Sequence, residues 1–103
     1  MSAAAETSAR FVSGASLGAP GSGDPARCSG AAIEALSGVA GPGFGMTSLA
    51  LDVASAKLGP GEIEVRAQVD KRTRSIVFAS AEAWQGEQLV FSAQGLFSRR
   101  GEK

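Results

Sequence analysis

The sequence predicts an α+β domain, one short helix followed by an antiparallel sheet, and three observations carry that reading. A helix start, an apolar stripe and a Gly-Pro-Gly stop succeed one another between Asp24 and Gly43. After that stop, apolar residues alternate with period two, the spacing of strands that lay one face on a core. Gly59-Pro60-Gly61 and Gln85-Gly86-Glu87 break the alternating runs where turns are needed.

Residues 1–23 form a leader rich in Ala, Ser and Gly with a small apolar island at Phe11 and Val12, and the sequence leaves open whether it supplies one short strand. The domain proper is expected over residues 24–100, with 101–103 as a tail. Asp24 suits an N-cap, Pro25 suits the first helical position, and Gly41-Pro42-Gly43 ends the run. Between them Cys28, Ala32, Ile33, Leu36, Val39 and Ala40 recur at three- and four-residue spacing and predict one apolar stripe. Gly30 and Gly38 each weaken the helix by up to about 1 kcal/mol relative to Ala, so packing against the sheet must hold it.

Four strands follow. In the first, Thr47, Leu49, Leu51 and Val53 share a face. In the second, Ile63, Val65, Ala67 and Val69 oppose Glu62, Glu64, Arg66, Gln68 and Asp70. The third, Ser75 to Trp84, sets Val77, Ala79, Ala81 and Ala83 against Ile76, Phe78 and Trp84, and its small residues make room for the helix. The fourth alternates Leu89, Phe91, Ala93, Gly95 and Phe97 with polar positions.

Composition narrows the function. Ten basic and ten acidic residues cancel, with the arginines dispersed, which argues against a nucleic-acid partner. With no histidine and a single cysteine, Cys28, the chain lacks a His-dependent triad, a His-ligated metal site and an internal disulfide. No stretch approaches the roughly 20 apolar residues of a membrane span, so a soluble, cytoplasmic protein without a membrane partner is the expectation. A 103-residue chain buries only about 60–65% of its unfolded surface, which favours a partner subunit.

Four pieces of the chain, in order, carry a resemblance. They are Thr47-Ser48-Leu49-Ala50-Leu51-Asp52; Leu58-Gly59-Pro60-Gly61-Glu62-Ile63-Glu64-Val65; Lys71-Arg72-Thr73-Arg74-Ser75-Ile76-Val77-Phe78; and Gly86 to Val90 through Gly95-Leu96-Phe97. Together, over roughly Cys28 to Arg99, they resemble the hotdog-fold acyl-CoA thioesterase superfamily, particularly its phenylacetate-pathway type, as a divergent or N-terminally short member. The resemblance implies a hotdog fold, an antiparallel sheet wrapped around one central helix. It also implies a homodimer joined across the strand near Thr47 to Val53, and an acyl chain lying in an apolar channel between helix and sheet.

The chain departs from the family's pattern where chemistry is expected. Cys28-Ser29-Gly30 stands in place of His-Gly-Gly, and the acid expected seven positions after the last glycine falls on Ser37. A hydroxyl replaces a carboxylate as general base only if another base activates it. Ala54-Ser55-Ala56-Lys57 stands in place of an arginine-proline pair.

On this resemblance Glu34 supplies the carboxylate, Ser37 orients water or the thioester, and amides near Gly30 polarise its carbonyl; that last role fails if the helix already begins at Pro25. Beside these stand plain readings, in which Glu34 is a solvated helix residue and Ser37 a small packing residue. Cys28 reads as an inert buried thiol. Lys71, Arg72, Arg74 and Ser75 are the candidates for coenzyme A phosphates, against a merely charged hairpin. Arg99, Arg100 and Lys103 read as a solvated tail. The expected function is hydrolysis of acyl-CoA or acyl-carrier thioesters with no cofactor beyond the coenzyme A of the substrate. The alternative is a non-catalytic acyl-thioester-binding or dimerisation module. A hydratase of the same fold is disfavoured by the missing histidine.

Overall fold

The computed structural model describes residues 6–18, 23–54 and 58–100. Helix α1 spans Pro25–Ala40, and its start is built as the sequence requires. The Asp24 carboxylate accepts a hydrogen bond from the Ala26 N–H at 3.1 Å, and the Asp24 carbonyl accepts the first helical bond, from the Cys28 N–H, at 2.8 Å. At the other end the Gly41 N–H bonds the Ser37 carbonyl at 3.1 Å, with Gly41 at φ +94°, in the left-handed region that favours glycine.

The leader does supply a strand. Strand β1, Thr7–Ser13, is followed by a 3₁₀ turn, Gly14–Leu17; after α1 come β2, Phe44–Val53, β3, Glu62–Arg72, β4, Ile76–Gln85, and β5, Gln88–Arg99. The fold thus begins inside residues 1–23, while Lys57 and the 101–103 tail, with Lys103, lie outside the described residues. All neighbouring strands are antiparallel in the order β1-β3-β4-β5-β2, so β1 and β2 are the two edges. Gly14 is needed where the first turn meets the loop before β3, since a Cβ there would sit 1.8 Å from the Gly59 carbonyl oxygen.

One face of the sheet carries the helix. Cys28, Ala32, Leu36 and Val39 of α1 pack on Ile63, Val65, Val77, Phe91 and Phe97, each at most 1% exposed. The alanines of β4 (Ala79, Ala81, Ala83) let the helix come close, as does Gly95, where a Cβ would meet Leu36 Cδ1 at 3.2 Å.

Three details differ from the periodic reading, and in the first Leu89, grouped with Phe91 in sequence, pairs with Trp84 across a register shift while Val90 is buried. Ile33 leaves the stripe: it is 40% exposed, and Ala35 is buried instead, because the core-facing arc is centred on Cys28, Ala32, Ala35 and Val39. Thr47 leaves its face as well. The β2–β5 register shifts between Met46 and Ser48, so Met46 turns inward and the Thr47 hydroxyl donates to the Leu96 carbonyl at 3.1 Å.

Candidate functional site

The candidate catalytic residues lie on the side of α1 that faces away from the sheet. Gly30, Ile33, Glu34, Ser37 and Gly38 are all exposed there, because the buried arc of a helix sixteen residues long leaves the opposite arc to solvent. Glu34 and Ser37, one turn apart, do share this surface. The Glu34 side chain is 69% exposed, and its carboxylate stands 3.4 Å from the guanidinium of Arg10 on β1. Sequence reasoning missed Arg10, since nothing in the local pattern signals which helix residue an edge strand will face.

Gly30 fails the condition set for it. The helix begins at Pro25 and the Cys28 amide is already bonded to the Asp24 carbonyl, so the Gly30 amide falls within the regular helical ladder and is spent there. The role in polarising a carbonyl is withdrawn. Among the described residues the layer between helix and sheet, where an acyl channel was expected, is filled by side chains that are nearly inaccessible.

The basic candidates separate. Arg72 turns inward to the end of α1, where Nη1 donates to the Ala40 carbonyl and Nη2 to the Val39 carbonyl, each at 3.1 Å. Its Nε donates to Glu6 at 3.0 Å, and the guanidinium lies 5.7 Å from the Phe44 ring centroid. This arginine places its charge at the negative end of the helix dipole and answers carbonyls left over by the last turn. It is a structural clasp, which corrects its assignment to phosphates.

Arg99, expected in a solvated tail, is likewise engaged: its guanidinium lies 5.3 Å from the centroid of the same ring and donates to the Arg74 carbonyl. Arg100 donates through its backbone N–H to the Gly43 carbonyl and through its side chain to the Phe44 carbonyl. Lys71 pairs with Phe78 across a bulge and so lies on the helix-free face of the sheet. Of the phosphate candidates, Lys71, Arg74 and Ser75 remain exposed around the β3–β4 connection. The structure therefore sets Glu34 and Ser37 on one surface and takes Arg72 out of a phosphate site.

Cys28 is fully buried, its Sγ 4.0 Å from the Leu17 carbonyl oxygen. Burial, and after it the neighbouring Asp24 carboxylate, push its thiol up from the ordinary 9.0. Such a thiol is a core side chain and a poor nucleophile. Among the described residues no three His, Cys, Asp or Glu side chains gather as a metal site would need, and no helix is long and apolar enough to cross a membrane.

No family model matches the sequence, and no curated protein matches it in sequence. Solved structures do match it. A mutant of the phenylacetic acid degradation protein PaaI from Thermus thermophilus superposes with a TM-score of 0.79 at 20% identity, over 93% of this chain and 87% of that one. This chain has the hotdog fold. The E. coli PaaI protein matches with a TM-score of 0.75 at 16% identity, over 94% of this chain and 73% of that one. Zebra fish thioesterase superfamily member 2 matches with a TM-score of 0.75 at 16% identity, over 96% and 78%. At such identities the fold is what is shared.

Proposed function

We propose that the protein acts on acyl thioesters as a homodimeric hydrolase, with Glu34 as the carboxylate that activates water. The observation that carries this reading is the placement of Glu34 and Ser37 together on the open side of the central helix of a fold shared with thioesterases. In the reaction, Glu34 takes a proton from water as the oxygen adds to the thioester carbon. The tetrahedral intermediate then expels the thiol sulfur, which receives that proton, giving a carboxylic acid and a free thiol. Ser37 is one turn away and can donate a hydrogen bond to the bound ester. The acyl chain lies along the exposed Ile33 rather than between helix and sheet, and Arg74 with Ser75 serves the phosphates of coenzyme A or of a carrier's prosthetic arm. A cytoplasmic location accords with such a substrate.

The dimer forms across β2, an edge strand whose backbone groups are open to a second copy. A second reading, a non-catalytic acyl-thioester binder, is favoured by one observation: the Arg10 guanidinium and bulk water compete for the lone pairs a general base would use.

Assay of the wild type and Glu34→Gln on a panel of acyl-CoA esters separates the two. Hydrolysis reduced by about two orders of magnitude or more in the variant is the expected result for loss of a general base. Equal rates remove Glu34 from the mechanism, and a wild type that binds the esters and hydrolyses none of them supports the binder.

A further inference from the structure

We propose that Arg10 holds the carbonyl oxygen of the bound thioester, supplying the hydrogen bonds and positive charge that the Gly30 amide cannot give. This rests on the hydrolytic reading of Glu34 and adds the group that meets the charge which that reaction creates.

When the oxygen of water adds to the thioester carbon, the π pair of the carbonyl moves onto its oxygen. The negative charge stays there until the sulfur departs. A donor aimed at that oxygen lowers the barrier, because it interacts more strongly with the adduct than with the ester. In this chain free amides at the helix start do not serve: Asp24 caps the first turn and Gly30 lies inside the helical ladder.

The register of β1 brings Arg10 to the site. Arg10 pairs with Val65 and Val12 with Ile63, and both partners are buried under α1, so these alternate residues of β1 lie on the helix side of the sheet. Val12 packs against the core, whereas the Arg10 side chain stays 49% exposed and sets Nη2 3.4 Å from Glu34 Oε1. Among the described residues the Arg10 guanidinium makes this ion pair and no hydrogen bond, so its other N–H groups are open to a ligand. The other cations beside α1 are engaged elsewhere. Arg27 pairs with Asp24 at 3.5 Å and stands seven residues before Glu34, about 10 Å along the helix. Arg72 donates to the Val39 and Ala40 carbonyls.

Distances suit the role. A water bonded to Glu34 sits about 2.6–3.2 Å from a carboxylate oxygen, and the carbon it attacks about 3–3.5 Å beyond. A guanidinium 3.4 Å from the same carboxylate reaches a carbonyl oxygen placed beside that water. Its forked donors can serve the carboxylate with one N–H and the carbonyl oxygen with others. The contact that competes for lone pairs of the base thus also holds a cation where the charge of the adduct appears.

Arg10→Gln, assayed on the acyl-CoA esters that the wild type hydrolyses, should lower kcat about tenfold or more with KM nearly unchanged, the pattern of a contact made in the transition state. Its melting temperature should stay at the wild-type value, which separates the role from that of a surface ion pair. Arg10→Lys should recover part of the rate, and millimolar guanidinium, but not potassium, should restore activity to Arg10→Ala. Wild-type kcat in Arg10→Gln would overturn the proposal and leave hydrolysis by Glu34 standing. A second arm needs no turnover. Trifluoroacetonyl-CoA, whose ketone hydrates to a tetrahedral centre, should bind the wild type about tenfold or more tighter than acetonyl-CoA, and Arg10→Gln should lose that preference. A wild type that hydrolyses no ester yet shows the Arg10-dependent preference would dismiss Glu34 and keep Arg10. Absence of the preference, or its survival in Arg10→Gln, would overturn the proposal.

Discussion

Cys28 shows how one residue's chemistry is set by its position. Its place in the apolar stripe reads it in sequence as an inert buried thiol, and the stripe does turn it into the core, beside Leu17 and under Gly23. Its folded pKa is raised, so the native state holds the proton more tightly than the unfolded chain does. The stability this lends is complete below about pH 9, where the unfolded thiol titrates, and is lost as pH rises through the higher folded value. Urea unfolding of the wild type should therefore show stability falling as pH rises above about 9, and Cys28→Ala should show a shallower fall. An equal slope in the two proteins would remove Cys28 as the cause. Glu34 and Ser37 illustrate the converse: their shared helix face was legible from helical spacing, but the exposure of Ser37, read as a packing residue, and Arg10 opposite Glu34 were not.

Elements are held to one another by polar clasps that no periodicity announces. The loop before β3 is fixed by Gln85, whose Oε1 accepts from the Gly59 N–H at 2.8 Å while Nε2 donates to the Gly59 carbonyl at 2.9 Å and the Gly61 carbonyl at 3.1 Å. The end of α1 is fixed to β3 by Arg72. Because that side chain is 29% exposed and water would recover part of each lost bond, Arg72→Ala should cost about 2 kcal/mol rather than the full sum of its charged hydrogen bonds. Arg74→Ala, at an exposed turn, should stay within about 0.5 kcal/mol of wild type. Chemical denaturation of the two variants decides the matter; equal losses would mean that Arg72 is not the clasp described.

The whole molecule is a slab, one helix on one sheet, with a radius of gyration of 13.9 Å against about 13 Å for a compact chain of this size. A slab this thin leaves one sheet face and two edges uncovered. Edge pairing through β2 predicts a particle of at least twice the 10.3 kDa chain mass in sedimentation at micromolar concentration. Leu51→Pro removes a backbone donor from that strand and should shift the protein toward monomer or unfolding. A wild type that sediments as a monomer would dismiss the edge dimer.

What the sequence determined by itself was what repeats locally: the cap at Asp24 and Pro25, the stop at Gly41, the four strands after it and most of their buried faces. Those signals are short-range, and their order sufficed to point to the hotdog fold before any coordinates. What only tertiary structure decided depends on which distant residues meet. Strand β1 exists because the edge of β3 supplies the hydrogen bonds that its weak apolar pattern cannot advertise. Thr47 and Met46 exchange faces through a bulge whose partner lies about fifty residues away. Arg72 became a helix clasp, and Gly30 lost its free amide, because the start and end of α1 are satisfied by its own ladder and by a side chain from β3. Charge and spacing fix what a side chain can do; the fold fixes which partner uses it.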